Sequence, residues 1–176
     1  MNSPIIPSNQ SRRSFLKGLG LLSVTALASS LFGCRPEKLS KTPIIALGGP
    51  KGELAFFPDR LKIQPGQPLT FILQSGGHTA TAYHPKNHSL YQSRIPEGAK
   101  PWDTDLLTQK GAIFSWKFET EGVYHFFCRP HESIGMAGAI VVGRALNGPG
   151  FSTPQKELPP LAQKKLSELI AWAKSL

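Results

Sequence analysis

The chemistry of this chain is concentrated in nine residues, Cys128-Arg-Pro-His131-Glu-Ser-Ile-Gly-Met136. They supply a thiol, an imidazole and a thioether. With one more histidine, these are the ligands of a mononuclear blue-copper centre. A thiolate is soft and donates strongly to Cu(II). Imidazole binds both Cu(II) and Cu(I). A thioether held at long range binds weakly and favours Cu(I), which raises the reduction potential. A site acceptable to both oxidation states rearranges little when one electron moves. A short loop delivers all three groups because each points inward from a tight turn.

The second histidine must come from a distant strand end. His78 is the best candidate, because it follows Gly76-Gly77 and opens the run Thr79–Tyr83. The glycines allow the backbone to turn so that the imidazole points inward. His84, His88 and His125 compete with it. His125 lies three residues before Cys128 on one expected strand, so the two side chains face opposite sides of the sheet. His84 precedes Pro85 and His88 sits in a polar loop, and both read as solvated.

Short β-prone runs separated by Gly and Pro position these residues. They are Ile44–Leu47, Leu54–Phe57, Leu61–Ile63, Leu69–Leu73, Thr79–Tyr83, Ile113–Phe118, Val123–Cys128 and Met136–Val142. Eight such runs, with no strand–helix alternation, predict an all-β antiparallel sandwich or barrel. Residues 84–112 form one long irregular connection, with a short helical turn expected near Trp102–Leu107. After Asn147-Gly148-Pro149-Gly150 the character changes. Pro159-Pro160 precedes Leu161–Leu176, where Ala162, Leu166, Leu169, Ile170 and Ala173 recur at helical spacing. This amphipathic helix is expected to pack on its own sandwich. Its alternative use is docking on a partner or membrane, with Lys164, Lys165 and Lys174 toward lipid headgroups.

The 176 residues, 40% hydrophobic and 18% charged, suit one domain with tails and exclude bulk disorder. The net charge of +9 falls to +6 once Arg12, Arg13 and Lys17 are assigned to a leader. That balance fits an acidic partner or an anionic membrane surface. Scattered single cations argue against nucleic acid. Residues 1–34 read as an export signal: Ser11-Arg12-Arg13-Ser14-Phe15-Leu16-Lys17, then an apolar stretch from Gly18 to Phe32 broken by Ser and Thr. The arginine pair followed by Phe-Leu-Lys resembles a twin-arginine signal. Leu31-Phe32-Gly33-Cys34 resembles a lipoprotein box, in which Cys34 carries the lipid. Cleavage near Ala26-Leu27-Ala28 or an uncleaved anchor are the alternatives. Residues 35–43 then form a polar tether, 44–144 the domain, and 145–176 a linker and the C-terminal helix.

Gly122-Val-Tyr-His-Phe-Phe-Cys128-Arg-Pro-His131-Glu-Ser-Ile-Gly-Met136-Ala-Gly138 resembles the cupredoxins, within them the plastocyanin-like branch. The likeness runs over 42–143 and includes Gly52-Glu-Leu-Ala-Phe56-Phe-Pro58 and Ile63-Gln-Pro65-Gly66. It implies a Greek-key β-sandwich with one type 1 copper. His78, Cys128 and His131 would be equatorial ligands and Met136 the axial one. It implies electron passage through the edge of His131, within an apolar patch that includes Pro130 and Ile134. Thr79 stands where plastocyanins have Asn, and Phe127 where they have a docking-face Tyr. Lys117 and Arg129 flank that strand in place of an acidic cluster. The expected role is an exported, monomeric one-electron carrier in the periplasm or on the outer face of the cytoplasmic membrane, serving a redox protein such as a cytochrome or reductase. A copper carrier or store is the alternative. No enzyme is expected: one loop cysteine cannot build a dinuclear copper site, and the chain is short for a multicopper oxidase.

Overall fold

A computed structural model describes residues 41–144 and 147–176. The segment read as an export leader, Cys34 and most of the stretch read as a tether lie outside the described residues. Eight strands form in chain order: β1 (Ile44–Leu47), β2 (Phe56–Phe57), β3 (Arg60–Ile63), β4 (Pro68–Leu73), β5 (Thr81–Ala82), β6 (Ile113–Lys117), β7 (Gly122–Phe127) and β8 (Ala137–Val142). They pack as two four-stranded sheets, β2-β1-β4-β6 and β3-β8-β7-β5. Every expected run contains an observed strand. The pairing is not wholly antiparallel, however: β1 runs parallel to β4 and β3 parallel to β8. Both sheets are therefore mixed.

Alternation builds the first sheet. Leu69, Phe71 and Leu73 of β4 point into the core, while Pro68, Thr70 and Ile72 point out. The central strands of the second sheet behave differently. All six residues of β7 and all six of β8 are buried. On their inner face Tyr124, Phe126, Cys128, Ile140 and Val142 join the main core. On their outer face Val123, Phe127, Ala137, Ala139 and Val141 meet a second apolar layer. That layer comes from helix α1 (Pro160–Lys174), which buries Ala162, Leu166, Leu169, Ile170 and Ala173 as its spacing predicts. The helix thus packs on its own sandwich. Lys165 also pairs with Asp59 at the sandwich edge. Burial pushes the Asp59 carboxyl up, but hydrogen bonds and charge from Arg60 and Lys165 outweigh it and hold the group below its ordinary range.

The stretch 84–112 differs from expectation. No helical turn forms at 102–107. Residues 103 and 107 instead make isolated β-bridges with Thr81 and His78. Trp102 is 2% exposed and packs against Phe71, Phe118, Tyr124 and Phe126. Burial of that indole outweighs the weak helical propensity of a segment opening Pro101-Trp102-Asp103.

Candidate metal centre

Cys128 follows the last residue of β7 and points into the main core, fully buried. The chain then makes a 3-10 turn over Arg129–Ile134, with proline in its first two positions. The turn ends at Gly135, whose φ of 86° is left-handed and costs a side chain strain. The loop closes on itself. The Cys128 N–H donates to the Met136 carbonyl at 3.0 Å, and the Met136 N–H donates to the His131 carbonyl at 3.2 Å. Local backbone bonds therefore bring Cys128, His131 and Met136 together at one end of the sandwich.

His78 arrives from across the molecule. Its N–H and C=O both pair with Leu107, at 3.1 and 3.0 Å, which fixes the backbone. Its imidazole lies against two glycines. A Cβ on Gly48 would sit 2.9 Å from Nε2, and one on Gly76 would sit 3.0 Å from it. Gly76 has the φ expected of a turn glycine, +70°. Gly48 also makes room for the ring, although in the sequence it reads only as the end of β1.

Three electron-pair donors converge. His78 Nδ1 and His131 Nδ1 are 3.0 Å apart, and Cys128 Sγ lies 3.5 Å from the first and 3.4 Å from the second. Among the described residues these three form the one such cluster of His, Cys and acidic side chains. A triangle with those sides has a circumradius of about 1.9 Å, close to metal–nitrogen bond lengths of about 2.0–2.1 Å. A thiolate and two imidazoles facing one point suit a copper ion with a His₂Cys donor set. Met136, 2% exposed, lies at the base of the same loop. His84 and His88 lie apart from the cluster. The His84 ring accepts the Lys86 N–H, and His88 stacks on Tyr91. His125 is buried on the opposite side of β7, as its spacing from Cys128 predicts.

The cysteine sulfur has further support. The Thr79 N–H points to Sγ at 3.4 Å, and the Thr79 hydroxyl accepts the Arg129 N–H at 2.9 Å. The Thr79 and Thr81 hydroxyls are 2.9 Å apart. Thr81 has one proton, and the Asp103 carboxylate 3.0 Å away can only accept it. Asp103 also pairs with Arg129 at 3.0 Å, and Asp105 with the same guanidinium at 3.2 Å. Arg129 is therefore paired with two carboxylates, and Lys117 with Glu119. Nothing in the sequence around Asp103 signals this role, since it depends on a contact between segments more than twenty residues apart.

Burial pushes the Cys128 thiol up. The Thr79 and His131 N–H groups, the Thr79 hydroxyl and the Arg129 charge offset part of that. Burial, and then the neighbouring His131, pull His78 down. A metal entering this site must displace the thiol proton.

The family of copper binding proteins described as plastocyanin/azurin matches residues 44–143. A plastocyanin of Ginkgo biloba is 32% identical over 103 residues, covering 56% of this chain and 97% of that protein. A chloroplastic plastocyanin of Physcomitrium patens is 28% identical over 143 residues, covering 80% and 78%. Among solved structures, a pseudoazurin from Methylobacterium extorquens AM1 superposes with a TM-score of 0.56 at 28% identity, covering 74% of this chain and 98% of that one.

Proposed function

This chain belongs to the plastocyanin/azurin family of copper-binding proteins, and on that premise we propose that it is an exported electron carrier tethered outside the cytoplasmic membrane. It is a blue copper electron carrier of the plastocyanin and pseudoazurin kind, with His78, Cys128, His131 and Met136 as its copper site. The observation that carries this reading is the convergence of two imidazole nitrogens and one thiol sulfur within 3.5 Å of each other. Copper bound there supplies one-electron chemistry between Cu(I) and Cu(II).

The chain's own residues do the rest. Cys128, His78 and Met136 are buried, so water is kept from three of the four ligands. Backbone bonds at both ends of the loop, and the Leu107 bridge at His78, hold the donors whether or not an electron is present. This rigidity keeps the rearrangement accompanying electron transfer small. His131 is the partly exposed ligand, and it offers the route out. Exposed apolar side chains flank the ligand-bearing segments: Ile134 on the same turn as His131, Leu106 against Gly77 beside His78, and Leu161 against Gly135. Such a rim suits brief docking of a redox protein such as a cytochrome or reductase.

Export rests on the leader. Arg12-Arg13 with Phe15-Leu16-Lys17 supports twin-arginine export of residues 1–34, and Leu31-Phe32-Gly33-Cys34 supports lipidation of Cys34. Residues 35–43 then tether the domain 44–144, which carries the linker and helix of 145–176. A nine-residue tether spans at most about 30 Å, which keeps the copper close to the membrane surface. Mass spectrometry of the membrane fraction tests the anchor. A diacylglycerol-bearing Cys34 is expected, and a mature chain beginning at Ser29 rejects it. Stopped-flow mixing of the copper-loaded protein with a reduced c-type cytochrome tests the carrier role. The blue band should bleach in a single electron step, more slowly when Ile134→Asp charges the apolar rim. A colourless Cu(II) protein rejects the whole reading.

A further inference from the structure

Glu132 directly follows the ligand His131 and is 6% exposed, a rare position for a carboxylate. Copper coordination does not use it. Its Oε2 accepts the Tyr91 hydroxyl. Its Oε1 has no complete hydrogen bond, and neither has the hydroxyl of the fully buried Tyr83. The same carboxylate acts on that hydroxyl by its charge. Glu132 thus receives a hydrogen bond from one phenol and lies close enough to the second, Tyr83, to act on it by charge. Both phenols come from residues 83–91, and both rings pack on Phe127, with centroids 4.4 Å away for Tyr83 and 5.4 Å for Tyr91. Leu158, Leu166 and Leu169 of the C-terminal segment close the same cluster.

The grip reaches the ligand through the backbone. The Glu132 carbonyl accepts the Gly135 N–H at 2.8 Å, so the residue is a strut of the turn that carries His131. Helix α1 presses on the far end of that turn, where the Leu161 carbonyl lies 3.2 Å from the Cβ position of Gly135. Without the phenols, Glu132 would be a buried carboxylate lacking donors. The turn would then have to move to hydrate it.

We propose that Glu132, held by Tyr91 and flanked by Tyr83 beneath the C-terminal helix, is a positioning residue that fixes His131 and sets how firmly this chain retains copper. The proposal rests on His131 being a ligand. Groups that orient a ligand from behind change metal affinity by about 10–100-fold when removed.

The test uses the full copper-loaded chain and follows capture of Cu(I) by bathocuproine disulfonate, together with the reduction potential. The double variant Tyr83→Phe/Tyr91→Phe should release copper at least about tenfold faster and show a shifted potential. Glu132→Gln, whose amide oxygen still accepts from Tyr91, should lie closer to wild type than the double variant does. Unchanged capture and potential in the double variant overturn the proposal, even if its copper-free form melts earlier, since that would mark a purely structural role. Should the double variant not fold, Tyr91→Phe alone decides on the same two readouts, because it removes one hydroxyl from a half-buried ring. A wild-type protein without the blue band would overturn the ligand assignment itself, and the proposal with it. A blue wild type with an indifferent double variant overturns the grip alone.

Discussion

Replacing His125 with leucine should change the acid stability of the fold by an amount the structure sets. His125 is 0% exposed, and neither ring nitrogen has a hydrogen-bond partner. Burial, and then the Arg94 charge, hold its pKa well below 6.5. Above pH 6.5 the ring is neutral folded and unfolded, and its titration contributes nothing. Below pH 6.5 the unfolded chain binds a proton that the native chain refuses, so stability falls as pH falls. One proton gives a limiting slope of about 1.4 kcal/mol per pH unit; since the unfolded ring is half protonated at pH 6.5, the loss between pH 6.5 and 4.5 is at most about 2.3 kcal/mol. Leucine has nearly the same volume and does not titrate. It also removes two unpartnered nitrogens, each costing about 1–3 kcal/mol when buried. The assay is urea unfolding of copper-free wild type and His125→Leu at pH 7.5, 6.5, 5.5 and 4.5. His78 and His84 are also pulled down by burial and tilt both curves; the difference between the proteins isolates His125. The variant should match or exceed wild type at pH 7.5, and its advantage should widen steadily below pH 6.5. Parallel curves would refute the reasoning, because they would mean that the ring is hydrated or charged inside the fold.

Met136→Gln should keep copper and lower the reduction potential, measured by voltammetry, because an amide oxygen favours Cu(II) more than a thioether does. Gly135→Ala should destabilise the fold by about 1–2 kcal/mol in urea titration, since φ is 86° and the new Cβ would meet the Leu161 backbone at 3.2–3.4 Å. Thr79→Ala keeps the N–H to the cysteine sulfur but breaks the hydroxyl link to Thr81 and Asp103; copper affinity, read by chelator competition, should fall by about 10-fold.

Legibility in the sequence followed distance along the chain. Cys128, His131 and Met136 were readable because a nine-residue loop carries them and its own backbone bonds close it. His78 was readable because Gly76 supplies the turn before it. The strands were readable because Leu69, Phe71 and Leu73 alternate with outward residues, a pattern needing no partner. What escaped depends on the partner. The parallel pairing of β1 with β4 leaves no mark in either run. Gly48 looks like a strand terminator until the His78 ring is placed against it. Trp102 sits in a segment that looks helical only while its burial is unknown. Glu132 meets Tyr91 forty-one residues away, and nothing near either residue announces the other.

The two apolar layers divide the work at one strand. β7 turns Tyr124 and Phe126 into the main core and Val123 and Phe127 into the layer beneath α1. Cys128 continues the inner set, so the sulfur is placed by the sandwich itself. The turn after it gains support from the outer layer, through the phenols at Glu132 and the helix at Gly135. Packing on both faces explains why β7 and β8 are buried at every position, which a two-layer sandwich alone would not require. It also gives the C-terminal helix a physical bearing on the metal site without touching a ligand. A helix that only solubilised the domain would have no reason to bury Leu166 and Leu169 against the ring stack that holds Glu132. Loss of those leucines would loosen the outer layer first. The sulfur, held from the inner side, would keep its place while the imidazole of His131 lost its support.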